Sequence, residues 1–514
     1  MRRSAFFAAL AAAVSLFAVE RAAHACGGCF APPPVGSEVP PVVTSHRMAL
    51  SISSDQTVLW DQIRYSGAPS EFAWVLPIKS GARIEIASDA FFDVLDAATN
   101  PIVVPPEVTC GGSDETTTSS CSVGAGAGMG CGGDDAGGGG GDDFELGPTD
   151  GVTIVSHGSA GPYETVVLSS EDPAALTQWL DEHDYTIPEE IEPVIEQYVE
   201  EGFDFVALRL APGAGIQQMR PVRVVMQGAV PVLPLRMVAA GSGARTAITL
   251  FVIGEGRYTP ANFVEGEVDP FVLKYDFATG LSNYVQLRDA AFERNAQQTW
   301  LVPYSMPGTL LGSLGSPNGL PLMYRTTASG QSGYPRMSDA IVQQAYINGE
   351  TTETSCAEQL AALEHDRRRV VDPCFTGTCR GIDHTTEIDR RELACDAPIG
   401  SDVELDDLAV ALTGQHPADV WLTRLDANLG RSAFGRDLEL VAAPELGMIS
   451  PYVTPNVAEN APCASAVVVH TSSKTPRDAA RLGVVLVLSL VVSAATARRL
   501  AKMARFGKKA GVAA

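Results

Sequence analysis

Residues 57–77, TVLWDQIRYSGAPSEFAWVLP, constrain the fold more than any other stretch of this chain. Val58-Trp60-Gln62-Arg64 alternates with Leu59-Asp61-Ile63-Tyr65, a period of two that suits a strand, although neither face is purely apolar. Ser66-Gly67-Ala68-Pro69 interrupts the run with turn chemistry, and a second apolar run carrying Trp74 follows. The segment predicts two strands about a polar turn at the centre of a β-rich core. Trp60, Phe72 and Trp74 serve core packing there far more readily than a ligand groove.

The same periodicity organises the rest of the chain. Behind a Pro-rich lead (Pro32, Pro33, Pro34, Pro40, Pro41), strands are expected at 46–53, 57–65, 71–78 and 83–87. Ser88 then caps a helix with Phe91, Val94, Leu95 and Ala98 on one side, which Pro101 stops. Residues 26–109 thus read as an N-terminal β-rich module. Residues 110–148 are Gly-rich and acidic, with too little apolar bulk to offset chain entropy, and read as a disordered insertion.

Residues 149–309 read as a central α+β module. It holds strands at 152–157 and 163–169, then a helix opened by Asp172-Pro173 that buries Leu176, Trp179 and Leu180. A second helix aligns Ile191, Val194, Ile195, Tyr198 and Val199 and ends at Gly202. Strands are expected at 203–210, 222–226, 233–239 and 245–253, with Gly241-Ser242-Gly243 as a hairpin turn between the last two, and a helix at 283–297. Residues 310–336 read as a linker, and 337–470 as a cysteine-bearing region with helices at 338–347, 354–370 and 405–413.

Both ends carry export signals. Arg2 and Arg3, the apolar stretch 4–19 and Ala23-His24-Ala25 read as a signal peptide over residues 1–25. Residues 482–497 are uncharged, and Arg498, Arg499, Lys502, Arg505, Lys508 and Lys509 follow without an acid. Sixteen residues of helix rise only about 24 Å. Starting the helix at Pro476 brings it to the roughly 30 Å of a bilayer core. A transmembrane helix at 476–497 with a cytoplasmic basic tail at 498–514 is the expectation, and it leaves the body outside. Removal of the tail segment as a processing signal is the other reading. The leader's +2 and the tail's +6 leave a charge of −33, against −25 overall, on residues 26–497. So acidic a body excludes nucleic acid as a partner and serves solubility, cations or basic partners.

Ten cysteines in an exported chain favour disulfides: Cys26, Cys29, Cys110, Cys121, Cys131, Cys356, Cys374, Cys379, Cys395 and Cys463 are all candidates, with connectivity open. Cys26-Gly27-Gly28-Cys29 has three readings: a structural disulfide, acylation of Cys26, or a redox pair or half metal site for which His46 is the nearby third ligand. Asp134-Asp135 and Asp142-Asp143 lack the alternation of a Ca²⁺ loop and read as a solvated linker, with Ca²⁺ binding as the minor alternative. Glycines 124–130 have no lysine and open no helix, so a phosphate site is not indicated. No H-E-x-x-H and no G-x-S-x-G occurs, and the residues nominate no catalytic group and no cofactor.

CGGCF, WDQIRYSGAPSEFAWVLPIKSGARIEI, FFDVLDAAT, LTQWLDEHDYTIPEEIEPVIEQYVEEGFDFVALRLAP, PVLPLRMVAAGSGARTAITLFVIGEGRY and DVWLTRLDANL occur in that order. Together they resemble the bacterial domain of unknown function 2330 family. The resemblance implies an exported envelope protein, frequently anchored at its C-terminus, and brings no catalytic residue with it. The expected fold is α+β and β-rich: antiparallel sheets with a few packed helices, plus a signal peptide and one C-terminal transmembrane helix. The expected role is non-enzymatic binding or scaffolding among other envelope proteins; the alternative is an envelope hydrolase or oxidoreductase whose site is assembled from distant residues.

Overall fold

The computed structural model describes residues 29–30, 42–66, 73–110, 151–183, 185, 187, 189, 191–211, 219–239, 242–310, 325–326, 332–333, 337–350, 398–399, 403–415, 419–462 and 466–468. The expected leader, the Gly-rich insertion beyond Cys110, most of the linker, the helix at 354–370, the expected span at 476–497 and the basic tail lie outside these residues. No helix among the described residues is long and apolar enough to cross a membrane.

Strands supply the centre of the molecule. Among them, in chain order, are β1 (Cys29–Phe30), β2 (Val42–Ile52), β3 (Gln56–Ser66), β4 (Ala73–Ile78), β5 (Arg83–Ile86), β6 (Thr153–Ala160), β7 (Tyr163–Ser169), β8 (Asp204–Leu210) and β9 (Val222–Gln227). Then come β10 (Ser242–Glu255), β11 (Val264–Gly266), β12 (Lys274–Asp276), β13 (Leu281–Ser282), β14 (Thr299–Pro307), β15 (Val420–Gly430), β16 (Val457–Glu459) and β17 (Ala466–Val468). The α-helices among the described residues are α1 (Asp89–Thr99), α2 (Pro173–Glu182), α3 (Glu192–Glu200), α4 (Tyr284–Phe292), α5 (Met337–Ile347) and α6 (Asp407–Leu412).

The larger sheet runs β11-β14-β15-β10-β2-β3-β9-β5, and the smaller β1-β4-β8-β7-β6. The β-rich α+β expectation holds, with one change: the larger sheet is mixed. β10 lies parallel to β2, and β11 parallel to β14. Parallel pairing needs a long connection, and the whole stretch between Ile52 and Ser242 separates the first pair.

Side-chain alternation assigns the faces of each sheet. Met48, Leu50, Leu59 and Val224 meet Trp74, Leu76, Val206 and Leu208 of the smaller sheet in one apolar core. On the opposite face, Trp60 lies 5.5 Å from Phe91 of α1, and Phe251 lies 6.4 Å from Phe92. The smaller sheet turns Val75, Leu168, Phe205 and Ala207 outward, where Leu176, Trp179 and Leu180 of α2 and Ile195 and Tyr198 of α3 cover them. The order of layers is therefore helix, sheet, sheet, helix. β3 and β4, expected around one turn, do not pair with each other; they enter different sheets.

Helix α1 starts as its sequence dictates, since the Ser88 side chain accepts from Phe91 N. Its other leading amides are met by side chains far away in the chain. Ser88 N donates to Asp407, and Asp89 N and Ala90 N donate to the two oxygens of Glu350. Helices α2 and α3 match their expected apolar faces, and α2 is capped by Asp172.

The strand expected at 233–239 is a correction. Only Val232–Leu233 is extended, and Arg236–Ala239 forms a 3-10 turn. Pro234 brings no N–H to continue a ladder. Arg236 then bonds to Asp437 at 2.7 Å and Glu201 at 2.6 Å, holding the segment in its turn. The hairpin expected at Gly241-Ser242-Gly243 is absent as well, because Ser242 already belongs to β10.

Candidate functional site

The last pair between β9 and β3 is Val222 with Asp61. β3 continues to Ser66, where β2 still pairs with its other edge. A cleft of about 490 Å³ opens where β9 has left off. Gln62, Ile63 and Arg64 of β3 form one wall, Met219, Arg220 and Val222 another, and Trp74, Tyr163 and Asp89 complete it. Apolar surface and both signs of charge therefore face the same space.

Asp61 sits in the wall with His46 behind it. Met48 is paired with Asp61 and His46 with Ile63, so the carboxylate and imidazole are diagonal neighbours on one face. His46 Nδ1 lies 3.0 and 3.2 Å from the two oxygens of Asp61. Both side chains are buried. Burial pushes the Asp61 carboxyl above its ordinary value, and the charge and hydrogen bond of His46 pull it back. His46 Nε2 is buried and has no hydrogen-bond partner among the described residues.

The charged rim is held by a chain of contacts. Arg220 Nη1 donates to Asp89 at 2.9 Å, and Gln62 Nε2 donates to the other oxygen of Asp89. Arg47 Nε donates to Gln62 Oε1 at 2.5 Å and its Nη2 to Asp93 at 2.8 Å. Tyr163 Oη donates to Arg220 O and accepts from Arg220 N, fixing the segment ahead of β9. Arg64 is exposed at the mouth. Beside this rim, Arg223 binds Asp406 at 2.6 Å and Asp407 at 2.9 Å, and Trp60 Nε1 donates to Asp407 at 2.9 Å. That second cluster joins the sheet to α6. Its groups are buried and mutually satisfied, so it serves anchoring.

Of the residues singled out from sequence, His46 is described and is paired to Asp61. Cys29 lies in β1 opposite Trp74, a cleft residue. Cys110 lies in a strand beside Ala466. The side chains of both, and all of Cys26, Cys121, Cys131, Cys356, Cys374, Cys379, Cys395 and Cys463, lie outside the described residues. The acid pairs 134–135 and 142–143 and Phe72 do too. Among the described residues, no three His, Cys, Asp or Glu side chains converge on a metal-sized space. Sequence reasoning did not nominate Asp61, Asp89, Tyr163 or Arg220. A signal existed for Asp61: it interrupts Leu59 and Ile63 on a face that alternation turns inward.

A family model described as an uncharacterized protein conserved in bacteria (DUF2330) matches residues 21–296, more than half of the chain and every residue lining the cleft. No curated protein and no solved structure matches.

Proposed function

The chain belongs to the DUF2330 family of uncharacterised bacterial proteins, and from that premise we propose that it is an exported, membrane-anchored protein of the cell envelope that acts by binding. The leader-like residues 1–25 and the uncharged run 482–497 followed by a basic tail support the location. The observation that carries the binding role is the cleft beside Asp61, where apolar walls and a few fixed polar groups meet as they do in small-molecule sites. Arg220 and Asp89 are already tied to each other, which presents a preorganised rim of both charges.

The test is the mass of protein purified from its own membranes, recorded under native and then denaturing conditions. A bound species is expected in the wild type and is lost or reduced at least fivefold in Arg64→Glu, a change at an exposed position. Equal native and denatured masses in the wild type would overturn the role. One observation favours the alternative, an envelope hydrolase or oxidoreductase: an Asp61–His46 pair is the arrangement that orients an imidazole for proton transfer. Turnover abolished by His46→Gln, with binding intact, would favour that reading.

A further inference from the structure

We propose that the hairpin of β12 and β13, with the residues just before it and the start of α4, rests on a bilayer of zwitterionic lipid; this builds on the membrane-anchored reading above. Four large apolar side chains are exposed here: Phe271 at 78%, Leu281 at 69%, Val285 at 50% and Val272 at 47%. Hydrogen bonds hold the backbone segments that carry them side by side. Asn283 Nδ2 donates to Val272 O at 3.1 Å, its Oδ1 accepts from Lys274 N at 2.7 Å, and Asp276 stands opposite Leu281. Leu273 is fully buried and anchors the turn from which Phe271 and Val272 project. Phe271 N donates to Asp269 at 2.9 Å, which fixes the backbone beneath the most exposed ring of the group. Contiguous apolar groups at a surface mark a binding face.

The occupant follows from where the chain leaves. β16 pairs with the free edge of β12, through Lys274 with Val457, and β17 lies against β16. Val468 ends the described residues, and the apolar segment begins at 482. The thirteen residues between them span at most about 50 Å when fully extended. The bilayer must therefore lie within that radius of Val468, and Val468 is tied to the hairpin through β16 and β17. Phe, Leu and Val at such a site enter the boundary between headgroups and acyl chains. Asp269 and Asp276 stand beside the group, and Lys274 is paired with Glu459 at 2.8 Å, so the local charge disfavours anionic lipid.

The test places the full-length chain in phosphatidylcholine nanodiscs made with brominated or ordinary lipid. Phe271→Trp should lose at least half of its added tryptophan emission in brominated discs. Ile347→Trp, at a comparably exposed position (70%) on α5, should lose far less. Replacing a third of the lipid by phosphatidylglycerol should weaken the quenching at 271. No quenching at 271, or equal quenching at both sites, overturns the proposal. Failure of the wild-type chain to co-elute with discs would instead sink the anchored reading. The same variants mixed with brominated vesicles would then decide the hairpin, quenching at 271 supporting it and none overturning it.

Discussion

At the scale of the residue, the strongest consequence concerns His46 and Asp61. Replacing Asp61 by alanine strands a buried imidazole and should cost roughly 3–5 kcal/mol, the usual effect of breaking one half of a buried pair. Asp61→Asn keeps a hydrogen-bond partner and should cost less than half as much, both read from urea unfolding midpoints. Equal, small losses would show that the pair is not a fixed contact. Glu350 gives a pH signature. Burial and the neighbouring Asp89 push its carboxyl up to about 7, while Asn348, Arg220 and the α1 amides pull it down. A carboxyl raised in the folded state contributes stability that is complete below its ordinary value and is lost as pH rises through about 7. Glu350→Gln should therefore flatten the fall in melting temperature between about pH 5 and pH 8. An unchanged slope contradicts that assignment.

At the scale of the element, the sequence predicted what depends on local chemistry. Ser88, Asp172-Pro173 and the spacing of Leu176, Trp179 and Leu180 fix α1 and α2 where they were expected, because caps and apolar stripes are properties of neighbouring residues. Ser88→Ala should cost about 1 kcal/mol of stability. A cost below 0.3 kcal/mol would mean that Asp407 and Glu350 alone hold the start of α1. What neighbours do not encode was not legible. Residues 233–239 have strand-like composition, but Pro234 and the ties from Arg236 to Glu201 and Asp437 make a turn of them. The split of residues 57–77 between two sheets is invisible to periodicity, which reports a face and not its partner. The cleft escaped for the same reason: Asp61, Asp89, Tyr163 and Arg220 are spread over some 160 residues and meet only through pairing.

At the scale of the whole molecule, β15 is the element that closes the fold. It comes from the C-terminal region yet lies between β10 and β14, with Leu422 and Leu425 buried in the main core. Long-range pairing of this kind makes the sheet a single cooperative unit. A chain ending after residue 336 leaves β10 and β14 without their shared neighbour and should lack near-UV circular dichroism and a cooperative melt. A folded truncation would contradict this. We propose a body held outside the cytoplasm by its C-terminal segment. The most direct measurement is alkylation and mass analysis of the native chain after cell fractionation. The prediction is a chain in the membrane fraction that begins near Cys26, retains residues 476–514, and takes up alkylating label only after reduction. A full-length chain in the cytosol with all ten thiols open to label would contradict it.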